Sequence, residues 1–546
     1  MSPLLAVLAA AAALSPFRDA RVAAFRELYG KLPALVAEKE SGGDRAGRVV
    51  AEMVREDMRR MERLFASERE AAALDPLAPD VASRRLNLRD FGAKGDGRTD
   101  DTAAFDRAVA ALKAFGGEPA ILDIPAGEYL LATRGRRAQL FAQGLANCIV
   151  RGESPESTRL VFGDYDASGV ELAACTNVTL ANVNLAYAET PFSQGRVVAF
   201  DKSAGTADIE WREGTLAPDD PRFASRPNAM CCAIFDESGR RIVDQEVFFA
   251  LSAERMEGEI YRVRFDTGRA SYSRVNLKAG WTLAIPDRDN SIGMVRARDS
   301  FLCNFDDVWI RNSRAAAFAL ASASYTTLWK CRVVPKDRDL VLSSNADGVF
   351  VSRGAFVAHC EFRNMNDDGL NCLAFGRPVK RVEGRDTVVT DGAGGRCAAG
   401  DPMVVVSSKT GEYLYFGRVK GEKRCRGGVA TSFDAPLPDD IVSLADIGLS
   451  EWTEKDKRDV VHGRRKVDRL ADLLYRPYSR GVGLVVSGCT FASMRGTGAV
   501  VQCANAIVEN CTFENVKKSV EVAARLDWQE GPPPYNTTVR GCATHL

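Results

Sequence analysis

Histidine is scarce in this chain: three among 546 residues, His359, His462 and His545. That leaves little room for a histidine-built metal centre or for a triad that runs through an imidazole. Charge of one sign is lacking as well, with 73 basic against 73 acidic residues. A chain without a net field has no bulk attraction for nucleic acid or an anionic membrane surface. No glycine-rich stretch ends in Gly-Lys-Ser/Thr, which sets aside a nucleotide-phosphate loop, and no cofactor is implied. Long apolar runs are absent beyond the first residues, so no membrane span is expected. The one early run, residues 4–14, has the length of a secretory signal but lacks the basic residues that usually precede one. Residues 1–16 are read as a signal peptide and the protein as secreted or periplasmic.

Fourteen cysteines are present, and export would allow them to pair. Their placement points elsewhere. Cys331, Cys360, Cys489 and Cys511 each open the pattern Cys-x-Phe/Val, as one interior slot repeated on successive turns of a solenoid would. Stacked buried thiols are the expectation. Cys397 and Cys425, both in glycine-rich turns, are the better candidates for a disulfide. The adjacent Cys231-Cys232 pair carries no reading.

Residues 17–85 read as helical, because the stretch from Val49 to Phe65 places apolar residues at intervals of three and four among many charges. The register changes at Leu86. A short strand runs into a glycine-rich turn over 90–97, and Thr99-Asp100-Asp101-Thr102 is placed to cap a helix over 103–115 by accepting from its first amides. The chain then repeats short alternating strands, as at 175–180, 324–329, 356–362 and 506–513, with asparagine and glycine at the turns. Unequal coils of this kind fit an all-β, right-handed parallel β-helix better than a sandwich. Two stretches break the period and read as small antiparallel β-barrel-like domains inserted between coils. The expected division is β-helix over 86–194, an insert over 195–290, central coils over 291–376, an insert over 377–450, a charged linker over 451–480 and final coils over 481–546.

The densest signal lies in the central coils. Asn345-Ala346-Asp347-Gly348 is echoed by Asn366-Asp367-Asp368-Gly369 after one solenoid coil, which takes roughly 20–30 residues. Residues one coil apart lie above one another at about the 4.8 Å strand spacing, so Asp347 is expected beside Asp367 and Asp368. Crowded carboxylates are costly unless they hold a metal or a proton. Consecutive strand residues point to opposite faces. Both Asp367 and Asp368 therefore serve one cleft only if the backbone bends, and Asn366 and Gly369 allow a bend.

Such a trio supports glycoside hydrolysis. A protonated carboxyl donates to the leaving oxygen while an ionised one activates water, and like-charge repulsion raises at least one pKa. Asp367 is assigned as the acid, with Asp347 and Asp368 holding the water. Asn345 and Asn371 either orient these groups and bind sugar hydroxyls or belong to an asparagine turn ladder. Arg495 is read as a charge partner or a sugar ligand; Trp528 is either a ring for a sugar face or a surface feature, and Glu530 either a hydroxyl ligand or a surface feature. A Ca²⁺ site or an acidic turn stack is the structural alternative for the trio; no metal is assigned.

The residues Asp90-Phe91-Gly92-Ala93-Lys94-Gly95-Asp96-Gly97, with Asp100-Asp101-Thr102-Ala103-Ala104-Phe105, resemble the entry motif of pectate-lyase-like β-helix proteins. That resemblance implies a fold more than an activity. Ser344-Asn345-Ala346-Asp347-Gly348, then Asn366-Asp367-Asp368-Gly369-Leu370-Asn371, a barrel-like insert, Met494-Arg495-Gly496-Thr497-Gly498 and Trp528-Gln529-Glu530-Gly531-Pro532 follow an order similar to glycoside hydrolase family 110. These are the inverting α-1,3-galactosidases; family 28, the polygalacturonases, is a more distant likeness, and the resemblance spans roughly residues 86–546. It implies Asp347, Asp367 and Asp368 as catalytic carboxylates of an inverting hydrolase acting on α-linked galactose, or a related sugar, in a glycan or polysaccharide. Where the family often carries histidines this chain has Phe350 and Cys372-Leu373, and it lacks the Gly-His-Gly and Arg-x-Lys clamp of polygalacturonases. Those departures argue against galacturonate. Two other readings stay open: a polysaccharide lyase eliminating with the help of Ca²⁺, and a non-catalytic glycan-binding β-helix. A homo-oligomer covering the last coil is a further expectation.

Overall fold

The computed structural model describes residues 16–73, 84–224, 231–243, 247–392, 396–447, 460–461, 464–465, 469–476 and 483–545. All but Pro16 of the expected signal segment lies outside them, as do His462 and most of the expected charged linker.

Strand alternation builds a parallel β-solenoid from Arg85 onward, each full coil laying short strands on three sheets. On the first sheet Leu122, Val150, Leu180, Phe305, Leu328, Val357, Val486 and Val508 stand in register one above another. All are buried in one continuous core. Their neighbours Ile121, Ile149, Thr179, Asn304, Thr327, Phe356, Val485 and Ile507 form the outward column, because successive side chains alternate across a strand. The second sheet stacks Leu160, Leu185, Ile310, Val333, Phe362, Phe491 and Phe513. Its last three rings lie face to face with centroids 5.2 and 5.3 Å apart. The third sheet stacks Val295, Phe318, Val349, Leu370, Ala499 and Val520.

The repeated Cys-x-Phe/Val pattern marks one corner of this solenoid. Cys331, Cys360, Cys489 and Cys511 are buried free thiols, and each Sγ donates to a carbonyl of the preceding coil. Cys397 and Cys425 are free as well, contrary to the disulfide expected of them. Cys397 points into an insert core against Met403, whereas Cys425 sits half-buried beside Arg381.

Three helices close and strap the solenoid. The hairpin of α1 (Pro16–Ser41) and α2 (Arg45–Ala73) covers the outward column of the first sheet. Phe25, Leu28, Val54 and Leu64 pack there with Trp329, Phe356, Val485 and Ile507, each large apolar side chain contributing roughly 1.5–3 kcal/mol by leaving water. Buried Arg21 donates to Asn304 Oδ1 at 2.7 Å, to Thr327 and to Glu68 at 2.9 Å. The third helix, α3 (Thr102–Ala114), buries Ala104, Phe105, Ala108 and Leu112 over the first coil. Its start differs from the expected cap. Asp101 stands at the N-cap, but its carboxylate accepts from the amides of Lys94 and Gly95 and so holds the glycine-rich turn. Asp100 takes the Thr102 amide at 3.0 Å instead.

Two antiparallel sheets interrupt the coils at different corners. The first, six-stranded, leaves after Tyr187 and returns at Val295, at the corner between the second and third sheets. A bridge between Cys231 and Phe249 joins its outer strands, Ala233–Phe235 and Ala250–Arg255. The second, seven-stranded, occupies the corner between the third and first sheets. Its two edges, Arg377–Pro378 and Arg381–Glu383, belong to one segment, so it closes on itself. It also takes in Leu473–Tyr475, inside the stretch expected to be a linker. Among the described residues no helix is long and apolar enough to cross a membrane.

Candidate active site

The third sheet forms the floor of a cleft of about 660 Å³. Along its outward face Ala319, Phe350, Asn371, Val500 and Glu521 follow one another in register. One wall is the corner that carries the acidic turns, overhung by Arg288 and Asn290 at the return of the first insert. The opposite wall is the corner of the second insert. There Ala374–Phe375 pairs antiparallel with Glu530–Gly531, placing Phe375, Trp528 and Glu530 on the rim. Phe375 is 48% and Trp528 38% exposed, and the Phe350 and Phe375 rings lie 6.3 Å apart.

Stacking brings the acidic trio together. A parallel bridge sets Ser344 over Met365, so Asp347 falls over Asp368, and its Oδ1 accepts the Asp368 amide at 3.2 Å. The chain bends through 366–369, which turns both Asp367 and Asp368 into the cleft. Glycine is required beside them by close approach: a Cβ at Gly348 or Gly369 would meet the carbonyl of the next coil at 2.5 Å. A Cβ at Gly496 would overlap Asp368 Oδ1. One oxygen from each of the three carboxyls lies within 4.8 Å of the others.

Their surroundings differ sharply. Asp367 stands between two guanidiniums, with Arg288 Nη1 on Oδ2 at 2.6 Å and Arg495 Nη2 on Oδ1. Burial alone would raise its pKa, but Arg495 and Arg288 outweigh burial and hold the carboxyl down to about 2. Among the described residues Asp347 forms no ion pair, and the charge of Arg288 offsets its titration only in part. Burial, then the charges of Asp367 and Asp368, push it well above the ordinary carboxylate range. Asp368 is also raised, first by burial and then by Asp367, against Arg525 at 3.2 Å and the Thr497 amide at 2.6 Å. Glu530 is raised by burial, although Gln502 Nε2 donates to its Oε2 at 3.1 Å. The expected proton donor, Asp367, is thus the carboxylate most firmly kept ionised.

A cation could be gathered by three acids this close, but the donor set does not fit one. Both oxygens of Asp367 and Oδ2 of Asp368 already accept from guanidiniums. Ca²⁺ would need six to eight oxygen ligands beside three fixed positive charges.

The other sequence-derived residues divide. Asn371, Arg495, Trp528 and Glu530 line the cleft. Asn345 does not: it is fully buried, and its Nδ2 donates to the carbonyls of Pro191 and Asp287. It anchors the first insert rather than a sugar. Arg288, Arg525 and Phe375 escaped the sequence reading, since each reaches the cleft from a corner whose path is set by an insert or by the last turn; Glu521 escaped it on a floor strand whose register only the stacking reveals.

Residues 85–136 match the family model described as rhamnogalacturonase A/epimerase, pectate lyase-like. The match falls on the segment whose motif resembles the entry of pectate-lyase-like β-helix proteins. Among curated proteins, a non-secreted LysM effector of Penicillium expansum is 38% identical over 71 residues, 12% of this chain and 6% of that one. Among solved structures, the A-module of a mannuronan C-5 epimerase from Azotobacter vinelandii aligns at 11% identity over 84% of this chain and 76% of its own, with a TM-score of 0.34. An exopolygalacturonase from Thermotoga maritima aligns at 15% identity over 80% and 68%, also with a TM-score of 0.34. The surface adhesin PfbA of Streptococcus pneumoniae aligns at 9% identity over 84% and 77%, with a TM-score of 0.30. Likenesses this distant transfer no chemistry to the present chain.

Proposed function

We propose that this chain is a glycoside hydrolase in which carboxylates supply both acid and base. One observation carries the reading: an aspartate held ionised by two arginines lies within 4.8 Å of two carboxyls whose pKa burial raises, Asp347 the more strongly. Acid and base at one site are what glycosidic cleavage requires. We place the acid on Asp347, and make Asp367 the carboxylate that activates water. Asp368, Arg525 and Glu521 lie alongside, and Phe375 and Trp528 offer rings to an apolar sugar face.

The substrate class, an α-linked galactose or related sugar in a glycan, and the inverting outcome both follow the resemblance of the acidic turns. The spacing favours a second outcome. Inverting carboxyls stand about 6.5–9.5 Å apart and retaining ones about 5–5.5 Å, so oxygens within 4.8 Å suit Asp367 as a nucleophile. Proton NMR of the sugar released from α-galactosides decides between them, with β-galactose expected for inversion and α-galactose for retention. Asp347→Asn and Asp367→Asn are each expected to lower kcat by about 10²–10⁴-fold while the galactoside still binds. Failure to turn over any glycoside, with binding intact, would sink the hydrolase reading in favour of a glycan-binding solenoid.

A further inference from the structure

The first insert reaches the acidic turn through one buried side chain. Arg241 is 3% exposed. Its Nη1 donates to the Met365 carbonyl at 2.9 Å and its Nη2 to Asn366 Oδ1. Asn366 Nδ2 donates in turn to the Cys231 carbonyl at 2.7 Å, so both ends of that amide are held by the insert. Asn515 Nδ2 fixes the Arg241 carbonyl from the final coils at 2.9 Å, and the guanidinium lies 5.4 Å from the Phe235 ring. Among the described residues no carboxylate forms an ion pair with Arg241. Burial, then Arg495, lower its pKa to about 9, so it stays charged at neutral pH. A buried charge without a direct ion pair is costly, and the donors of this one go to two neutral acceptors of a single turn. That turn is the bend that must break strand alternation for Asp367 and Asp368 to share the cleft.

We infer that Arg241 is a positioning residue for the reaction: it locks the Met365-Asn366 backbone so that Asp367 meets Arg288 and Arg495, and it adds a third positive charge behind them. It does not line the cleft and acts through Asp367. The inference rests on the hydrolase reading. Asp367 faces Arg288 from the return of the insert, Arg495 from the next coil and Asp347 from the coil before. Asp368 follows it in the turn, and Arg525 and Glu530 face it from the last turn.

The test compares Arg241→Gln, Arg241→Lys and Asn366→Ala on the substrate identified by the glycoside panel. Arg241→Gln is expected to lower kcat about 10–100-fold through misplacement, with KM changed less than about threefold. The acid limb of its pH–rate profile should move up by about one unit as Asp367 loses support. Arg241→Lys, which keeps the charge, should restore the limb more than the rate, and Asn366→Ala should reproduce the loss of kcat if the glutamine variant does not fold. A folded Arg241→Gln protein with unchanged kcat, KM and acid limb overturns the inference. If the wild type cleaves no glycoside, the hydrolase reading fails on its own, and the crystal structure of Arg241→Gln decides positioning. Displacement of the Asp367 carboxyl from Arg495 supports it, and an unmoved turn overturns it.

Discussion

Asp367 shows how two guanidiniums reverse what burial would do. A carboxyl enclosed this far from water should titrate high, yet Arg495 and Arg288 hold it near 2. Activity that depends on ionised Asp367 should therefore persist to low pH and fall at high pH as Asp347, whose pKa is raised, gives up its proton. Arg288→Gln removes one of the two partners. The acid limb of kcat/KM is expected to rise by at least about one unit, toward or past the ordinary carboxylate value near 4, while the basic limb moves less. A pH–rate profile in which neither limb shifts would separate Arg288 from the chemistry. The trio itself was legible because Asn-x-Asp-Gly recurs after one coil and stacking then does the rest. The protonation order was not, because its cause lies in Arg288 and Arg525, respectively 79 and 157 residues from the aspartates they meet. Asn345 misled for a related reason: an asparagine beside an aspartate reads as a ligand until the insert it anchors is seen.

At the level of elements, the strands announce themselves by alternation, and the thiol slot by its repeated spacing. The helical hairpin announces only that it has an apolar stripe; what the stripe covers is set by outward residues such as Trp329, Phe356 and Val485, which alone look like misplaced core. Polar contacts fix the hairpin's position. Asp57 of α2 is fully buried and accepts from Asn505 Nδ2 at 2.6 Å and Tyr535 Oη at 2.7 Å. Burial lifts its pKa to about 7 against the opposing pull of those two donors. The folded state then holds this proton more tightly than the unfolded chain does. The contribution is harmless below about pH 4, grows as pH rises, and is complete above pH 7, costing at most roughly 4 kcal/mol. Asp57→Asn keeps an acceptor for both donors and removes the titration. Its melting temperature is expected to gain on the wild type at pH 8 and to match it at pH 4; an equal difference at both would show that Asp57 is charged in the fold.

Over the whole molecule, solenoids ordinarily behave as one-dimensional stacks whose repeats contact only their neighbours. Here the hairpin ties distant coils together: Arg21 reaches the coils of Asn304 and Thr327, Asp57 those of Asn505 and Tyr535, and Glu27 meets Arg540 at 2.8 Å. Arg418 of the second insert pairs with Glu56 at 2.7 Å. Urea unfolding followed by tryptophan fluorescence and by far-ultraviolet circular dichroism should therefore give coincident single transitions. Two resolved steps would mean that the strap does not couple the coils. The same tie has a consequence for biosynthesis. Glu27 and Arg540 are 513 residues apart, so the helices leave the ribosome long before the last strands they must cover are made. An apolar surface made early and matched late has to be sheltered while the intervening coils are translated. The helices are made before the coils they cover, and their docking waits on the last of those coils.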